Sequence, residues 1–328
     1  MTTAKRPMET HKAVPARVRA CGGRRSVLAA LALLLSLMVV AAALRWGAAG
    51  LDPRVIWQLR APRVLAAAGV GALLALSGLA MQIVLRNPLA DPYVLGTSGG
   101  ASVGALLALM LGANLWAGAA AGALACAAAL LWLARAALRQ TDDASVRLIL
   151  LGAMLAALTG AAAQLMLSLV PDRVLRGAVF WMGGDFSAAR DHGVCLAAAV
   201  LLAALMSWRA RSVERLMLGS ETAALLGERV ALLRAMLLGG ASLAVAASVA
   251  TAGAIGFVGL VVPHMLRLCG VHGVRAQAAW CVVAGATLLV AADLVARTVA
   301  SPMELPVGAV TALVGAPAFV WFLWRDVR

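Results

Sequence analysis

The sequence predicts an all-α, polytopic membrane protein with ten transmembrane helices, and three observations support that fold class. Hydrophobic residues make up 63% of the 328-residue chain, charged residues make up only 13%, and the mean hydropathy is +0.94. A typical soluble domain is nearer half apolar and a quarter charged. The charged residues also fall in short groups between long charge-free segments, which is the pattern of a chain that crosses a bilayer repeatedly.

The charge-free segments supply the ten candidate spans, since a helix needs about 20 apolar residues to cross a bilayer. Two segments are too long for one helix and must each be divided into two spans. Tyr93–Ala134 has a turn at residues 112–114, and Ala235–Leu266 has a break at residues 251–259. The other six spans are predicted at Ser26–Leu44, Val64–Leu85, Leu148–Val170, Gly193–Trp208, Ala276–Val295 and Leu305–Trp324.

The basic residues predict how the chain is oriented. The net charge is +14, and ten spans place both termini on one side of the membrane, together with twenty of the 28 Lys and Arg residues. Because basic residues accumulate on the cytoplasmic side, we expect both termini to be cytoplasmic. Residues 1–25 are then a cytoplasmic tail, and residues 26–328 form a single transmembrane domain. Since the basic residues flank the spans, we expect contact with membrane lipid and none with nucleic acid.

Several enzymatic functions are excluded by missing motifs. Both lysines, Lys5 and Lys12, lie before the first glycine of the chain, so no phosphate-binding loop ending in Gly-Lys-Ser/Thr can form. No HExxH, paired-carboxylate or GxSxG pattern occurs, and the four histidines lack metal-ligand spacing. We therefore predict that the chain is not an enzyme and binds neither a metal nor a cofactor of its own.

Carboxylates are almost absent from the predicted spans. Only Asp293 approaches a span interior, and Arg297 follows four residues later on the same helix face, where the two charges can neutralise each other. Carriers that are driven by protons or sodium usually need ionisable groups at mid-membrane. If this chain transports a solute, its energy should come from another subunit. An ion-coupled carrier or a channel is the alternative from a different functional class.

The stretch "LRNPLADPYVLGTSGGASVG" at residues 85–104 interrupts the apolar pattern with helix-breaking residues. Pro88 and Pro92 lack a backbone N–H and push the preceding residues out of helical conformation, so the second span should end near Arg86. Asp91 can cap the next helix, with Pro92 at its first position. The sequence therefore predicts a tight turn followed by a new helix.

Glycines at four-residue spacing predict close helix packing. Gly96, Gly100 and Gly104 follow this spacing, and Gly118 and Gly122 repeat it on the next span. Residues four apart lie on one helix face, and a glycine face lets two backbones approach closely in a membrane. We expect these two faces to pack closely against neighbouring helices.

Six segments of the chain together form a recognisable pattern. The first is "LSGLAMQIVLRNPLADPYVLGTSGGA" at 76–101. The others are "RAPRVLAAAGVGALLALSG" at 60–78, "FWMGGDFS" at 180–187, "LGSETAALLG" at 218–227, "GAIGFVGLVVPHMLRLCG" at 253–270 and "ADLVARTVASPMELPVGAVTALVGAPAFVWFL" at 292–323. These segments resemble the FecCD-type permeases, which are the membrane subunits of ATP-driven importers for iron-siderophores, heme and vitamin B12, and the first looks like the family signature.

The resemblance implies the assembly in which such a chain works. It implies a type II ABC importer permease in the bacterial inner membrane, where two copies form a homodimer around a central pathway. Two ATP-binding subunits, which hold ATP and Mg, would lie on the cytoplasmic side, and a periplasmic substrate-binding protein would dock outside. Family frequency favours an iron-siderophore as the cargo, with cobalamin or heme as the alternatives.

The resemblance also implies functional residues at three places. The cytoplasmic segment 211–233 would couple the permease to the ATPase, and outer arginines would meet acidic residues of the binding protein. The coupling residues are Gly219, Glu221, Ala223, Leu226 and Gly227, and the docking residues are Arg54, Arg60, Arg63 and Arg297. The gate residues are Asn87, Pro88, Leu89, Thr141 and Asp142, and the pathway residues are Met154, Leu158, Gln164 and Met166.

Each of these assignments has a simpler alternative. The coupling segment could be an ordinary surface helix, although Glu221 would suit the positive end of its dipole and Gly227 could end it. The arginines could extend to lipid headgroups. Thr141 and Asp142 could be plain turn residues.

Overall fold

The computed structural model describes residues 20–47, 52–139, 144–187, 192–301 and 303–326, and within these ranges all regular structure is helical. A π-helical turn lies at Ile56–Arg60 and a 3-10 helix lies at Pro92–Leu95. The α-helices are α1 (Ala20–Arg45), α2 (Pro53–Val55), α3 (Ala61–Val84), α4 (Thr97–Met110), α5 (Leu115–Arg139), α6 (Ala144–Leu167), α7 (Asp172–Met182), α8 (His192–Trp208), α9 (Ala210–Met217), α10 (Ser220–Leu225), α11 (Val230–Ala252), α12 (Val258–Leu268), α13 (Val274–Thr298) and α14 (Val307–Asp326).

Each of the ten predicted spans corresponds to an apolar helix, which confirms the predicted fold class. Among the described residues six helices are long and apolar enough to cross a membrane, and α8 with α9 makes a seventh if that pair, bent by 69°, is counted as one span. The apolar parts of α4, α12 and α14 are shorter. Both divided segments break where the sequence predicts, between Met110 and Leu115 and between Ala252 and Val258.

Two features of the helices differ from the sequence prediction: where α1 begins, and the presence of α7. Helix α1 begins at Ala20, inside the predicted tail, because arginine is a good helix former and a charged residue does not end a helix. Helix α7 is an additional helix that the charge-free segments do not predict. It begins with the sequence DRVLR, whose charges exclude it from such a search.

Helix α3 is the centre of the fold. Between Val64 and Val84 every residue except Leu65 and Ala68 is buried, which is the expected state of a helix that is apolar all round. It packs against α8, α11, α12 and α13. Helix α3 therefore lies inside the bundle, and its two ends lie at opposite faces of the molecule.

Two glycines let neighbouring helices pack directly on the backbone of α3. A Cβ atom added at Gly78 would lie 1.9 Å from the carbonyl oxygen of Gly259 in α12. A Cβ atom added at Gly71 would lie 2.2 Å from the carbonyl oxygen of Gly285 in α13. Neither distance can be accommodated without moving backbone, so α3, α12 and α13 are in close contact at these two points.

The predicted glycine faces also meet, with one exception. A Cβ added at Gly104 would lie 2.1 Å from the carbonyl oxygen of Gly118, and one at Gly122 would lie 2.2 Å from that of Gly100. These contacts confirm that α4 and α5 pack through glycines. Gly96 does not belong to this face, because it ends the 3-10 helix in a left-handed conformation with φ 74°.

The turn after α3 follows the predicted geometry. The Asp91 carboxylate accepts a hydrogen bond from the Tyr93 N–H at 2.7 Å and caps the helix that begins at Pro92. That helix is a 3-10 helix of four residues, and α4 begins only at Thr97. Burial raises the pKa of the Asp91 carboxyl above its usual range, while the bond from Tyr93 opposes that rise.

The close contact at Gly78 predicts the effect of adding one methyl group. Gly78→Ala should destabilise the protein by about 1–3 kcal/mol, because the new Cβ overpacks a backbone contact. Gly160→Ala is the matched control, since Gly160 is also inside a helix but has nothing within 4 Å of the new Cβ. Thermal unfolding in detergent measures both variants, and equal midpoints for the two would contradict the packing described here.

Candidate functional sites on the two faces of the membrane

A cluster of four charged side chains joins α3, α13 and the loop between α13 and α14, on the face predicted to be outer. Its centre is Asp293 in α13, whose side chain is only 1% exposed. Arg63 in α3 binds this carboxylate in bidentate fashion, with Nε 2.9 Å from Oδ1 and 3.2 Å from Oδ2, and Nη2 2.8 Å from Oδ1. Arg297 lies 3.5 Å from the same carboxylate, one helical turn away on α13. The predicted Asp293–Arg297 pair is therefore present and is joined by a third group.

Glu304 completes the cluster from the loop between α13 and α14. Its two carboxylate oxygens each accept a hydrogen bond of 3.0 Å from Nη1 of Arg63. The side chain of Glu304 is 37% exposed, whereas that of Arg63 is 12% exposed. Arg63 therefore binds one buried carboxylate and one that faces the outside.

Two arginines of the same face cap the end of α1. Nη1 of Arg60 donates to the carbonyl oxygens of Leu44 at 3.0 Å and Arg45 at 2.8 Å, and Nη2 of Arg297 donates to the carbonyl of Ala43. The last carbonyls of a helix have no partner within that helix, and they carry the negative end of its dipole. The two guanidinium groups satisfy these carbonyls and attach α1 to α3 and α13.

The four arginines predicted to dock the binding protein differ in exposure, and their docking role stays a prediction. Only Arg54 is exposed, whereas Arg60 and Arg297 are buried and Arg63 is bound by two carboxylates. The physical reason is that the end of α1 and the Asp293 carboxylate attract these guanidinium groups inside the chain. Contacts between residues 230 positions apart leave no signal in a single sequence.

The predicted coupling residues form one unit between α8 and α11, on the face predicted to be cytoplasmic; we call it the coupling unit. Gly219, with φ 128°, separates α9 from α10, and Glu221 lies in the first turn of α10. Gly227, with φ 82°, ends α10 as predicted. Its N–H donates to the carbonyl of Ala224 at 2.9 Å, and the N–H of Glu228 donates to the carbonyl of Ala223 at 3.0 Å. This pattern is a Schellman motif, which requires a left-handed residue at the position of Gly227.

One side of α10 is buried against the rest of the protein, and the other side exposes apolar side chains. Ala223 is fully buried, whereas Leu225 is 89% exposed and the predicted Leu226 is also exposed. Leu225 extends the predicted set, and its exposure depends on the direction of α10, which the sequence does not give. Exposed leucines at the polar end of a membrane protein are typical of a surface that a partner covers.

Two side-chain contacts that the sequence does not predict, made by Arg234 and Arg215, fix the position of α10. Arg234 in α11 is only 2% exposed, and its Nη2 donates a hydrogen bond to the hydroxyl of Ser220, the first residue of α10. A salt bridge of 2.7 Å joins Arg215 in α9 to Glu228 after α10. In the sequence Arg234 is one of many basic residues beside an apolar segment, so nothing there signals its burial.

The predicted gate residues Asn87, Pro88 and Leu89 form a short loop beside the coupling unit. The Asn87 side chain accepts a hydrogen bond from the Leu89 N–H at 2.9 Å, and both Pro88 and Leu89 are exposed. A Cβ added at Gly219 would lie 4.0 Å from Nη2 of Arg86, so the start of this loop adjoins α10. Thr141 and Asp142 lie outside the described residues.

The four predicted pathway residues do not share one face of α6. Met154, Leu158 and Gln164 are exposed along the helix. Met166 instead packs against the buried cluster that contains Leu106. Two residues of an α-helix correspond to about 200° of rotation, so Met166 cannot face the same side as Gln164.

Comparison with known proteins identifies the family. The FecCD transport family matches residues 27–325. The vitamin B12 import system permease protein BtuC of Escherichia coli O157:H7 (strain EC4115 / EHEC) is 41% identical over 316 residues, covering 92% of this chain and 94% of the relative. BtuC of Escherichia coli strain K12 / DH10B gives the same identity and coverage.

Solved structures share the same fold. A structure described as an inward-facing ABC transporter of the metal-chelate type has a TM-score of 0.81 and 29% identity, covering 90% of this chain and 97% of the other. PsaBC from Streptococcus pneumoniae, solved with a Fab, has a TM-score of 0.56 at 14% identity, covering 79% and 89%, which shows likeness of fold alone. The chain therefore belongs to the FecCD transport family and is a membrane permease of the ABC importer class.

Proposed function

We propose that this permease imports a metal chelate into the cytoplasm, with cobalamin as the preferred cargo. The observation that carries the proposal is the 41% identity to vitamin B12 permeases, which extends over 92% of the chain. The sequence alone favours an iron-siderophore on family frequency. Iron-siderophore uptake stays the second candidate because the structural neighbour at TM-score 0.81 is described only as metal-chelate type.

The energy for import would come from two ATP-binding subunits that hold ATP and Mg. The contact unit formed by α9 and α10 supports this arrangement, because its exposed apolar edge at Leu225 and Leu226 fits a groove on a partner. Asp293 argues against an ion-coupled carrier, since it is paired with Arg63 and Arg297 at the outer end of α13. A carboxylate that is neutralised in this way is not available to carry a proton across the membrane.

The remaining parts of the assembly follow from the family. We propose that the chain lies in the inner membrane with both termini cytoplasmic. Two copies would form a homodimer, and the transport pathway would run along the axis between them. A periplasmic substrate-binding protein would dock on the outer face, where Arg54 is exposed and Arg63 is partly exposed. The loop Asn87–Leu89, with Thr141 and Asp142, would gate the cytoplasmic end. Met154, Leu158, Gln164 and Met166 are the residues that we propose for the path.

Uptake into proteoliposomes tests the proposed energy source and cargo together. The permease with its ATPase partner should take up labelled cobalamin in the presence of the binding protein and ATP, and omission of either ATP or the ATPase should reduce uptake to background. Full-rate uptake by the permease alone would contradict the proposal and favour a channel or carrier. Uptake of a ferric siderophore in preference to cobalamin would select the second candidate.

A substitution at Gly227 tests the coupling unit. Gly227→Pro should abolish uptake and association with the ATPase without preventing membrane insertion, because proline cannot adopt φ 82° and removes the N–H that bonds Ala224. Gly227→Asn is the control, since asparagine tolerates the left-handed conformation and nothing lies within 4 Å of an added Cβ. Co-purification of the ATPase measures both variants, and retention by the proline variant would show that α10 is not the coupling helix.

A further inference from the structure

The two carboxylates bound to Arg63 differ in how firmly they are held. Asp293 is 1% exposed, receives a bidentate contact from Arg63, and also faces Arg297. Its departure would leave two buried guanidinium groups without their counter-ion, which is strongly unfavourable. Asp293 is therefore a permanent partner of Arg63.

Glu304 is held far more weakly. In the described part of the chain its side chain bonds only to Nη1 of Arg63, and it is 37% exposed. It also lies in the non-helical stretch between α13 and α14, where rotation of the side chain into water disturbs no helix. Exposed pairs of this kind contribute little to stability. Glu304 can leave Arg63 without disturbing the buried part of the cluster.

The geometry leaves room for one outer carboxylate on Arg63. The Nε and Nη2 edge of the guanidinium is taken by Asp293, and the outward Nη1 is taken by Glu304. The cluster contains two arginines, Arg63 and Arg297, and two carboxylates, so release of Glu304 would leave one positive charge uncompensated at the surface. A second carboxylate from outside would restore the balance and could use the same donor.

We propose that Glu304 is an internal substitute for an acidic side chain of the docking protein, and that docking exchanges one carboxylate for the other on Arg63. The inference rests on the proposed function, because it specifies how the binding protein would engage the outer face. The exchange makes Arg63 selective for a partner that supplies a carboxylate at this point. It also weakens docking, because every partner competes with Glu304.

The test is an affinity measurement on the permease–ATPase complex in nanodiscs. The probe is the substrate-loaded periplasmic binding protein encoded with this permease. Glu304→Gln removes the competing charge and should tighten the Kd by about two- to fivefold, the range expected for one exposed ion pair. Glu304→Asp retains the charge and should stay close to the wild-type Kd.

Two controls separate exchange on Arg63 from a general change of surface charge. Asp52→Asn removes a negative charge from the same outer face, where Asp52 is exposed and accepts a bond from the Arg54 N–H; asparagine preserves that cap. It should change the Kd by less than the Glu304 variant does. In an Arg63→Lys background, Glu304→Gln should give no gain, because a lysine cannot hold two carboxylates in the geometry of a guanidinium.

The outcomes distinguish this inference from the proposed function. If the wild-type complex does not bind the protein at all, the proposed docking partner is wrong. If the wild type binds and Glu304→Gln leaves the Kd unchanged or weakens it, Glu304 is a structural support and the exchange is refuted. An equal gain from Asp52→Asn would also refute it, because the effect would then be one of net charge.

Discussion

The close backbone contact of α3 with α12 and α13 is the constraint on which the rest of the structure depends. Gly78 against Gly259 and Gly71 against Gly285 leave no space for a Cβ atom. In a bilayer such packing is a main source of helix association. Moving an apolar side chain from lipid into a helix interface gains no hydrophobic free energy, because lipid tails are equally apolar. It fixes the position of α3 relative to α12 and α13, and so it fixes what lies at each of its ends.

Both functional faces are built on the ends of that helix. The end predicted to be outer carries Arg60 and Arg63, which attach α1 and α13 through carbonyl and carboxylate groups. The opposite end carries the loop that starts at Arg86 and adjoins α10 at Gly219. A partner that displaces α10 would therefore press directly on this loop, the predicted gate, and a partner on the other face would contact a cluster anchored to the same helix.

The sequence predicted the features that depend on neighbouring residues. The spans follow from local hydropathy, the α4–α5 contact from glycine spacing, and the end of α10 from the conformational freedom of Gly227. Features that depend on distant residues were not predictable. The pairing of Arg63 with Asp293 and the capping of α1 by Arg60 and Arg297 join separate parts of the chain. Helix α7 was not predicted because it contains charged residues, and the spans were predicted from charge-free segments.

The backbone contacts of α3 with α12 and α13 at Gly78 and Gly71 predict that these three helices move as one rigid body during transport. Pulsed electron paramagnetic resonance can test this with spin labels at Leu59 and Leu268, which are both exposed. Leu59 lies in the π-helical turn that leads into α3, and Leu268 is the last residue of α12. The distance between these labels should stay constant within about 2 Å when the ATPase partner binds nucleotide. A larger change on nucleotide binding would show that α3 slides against α12 and would contradict the claim.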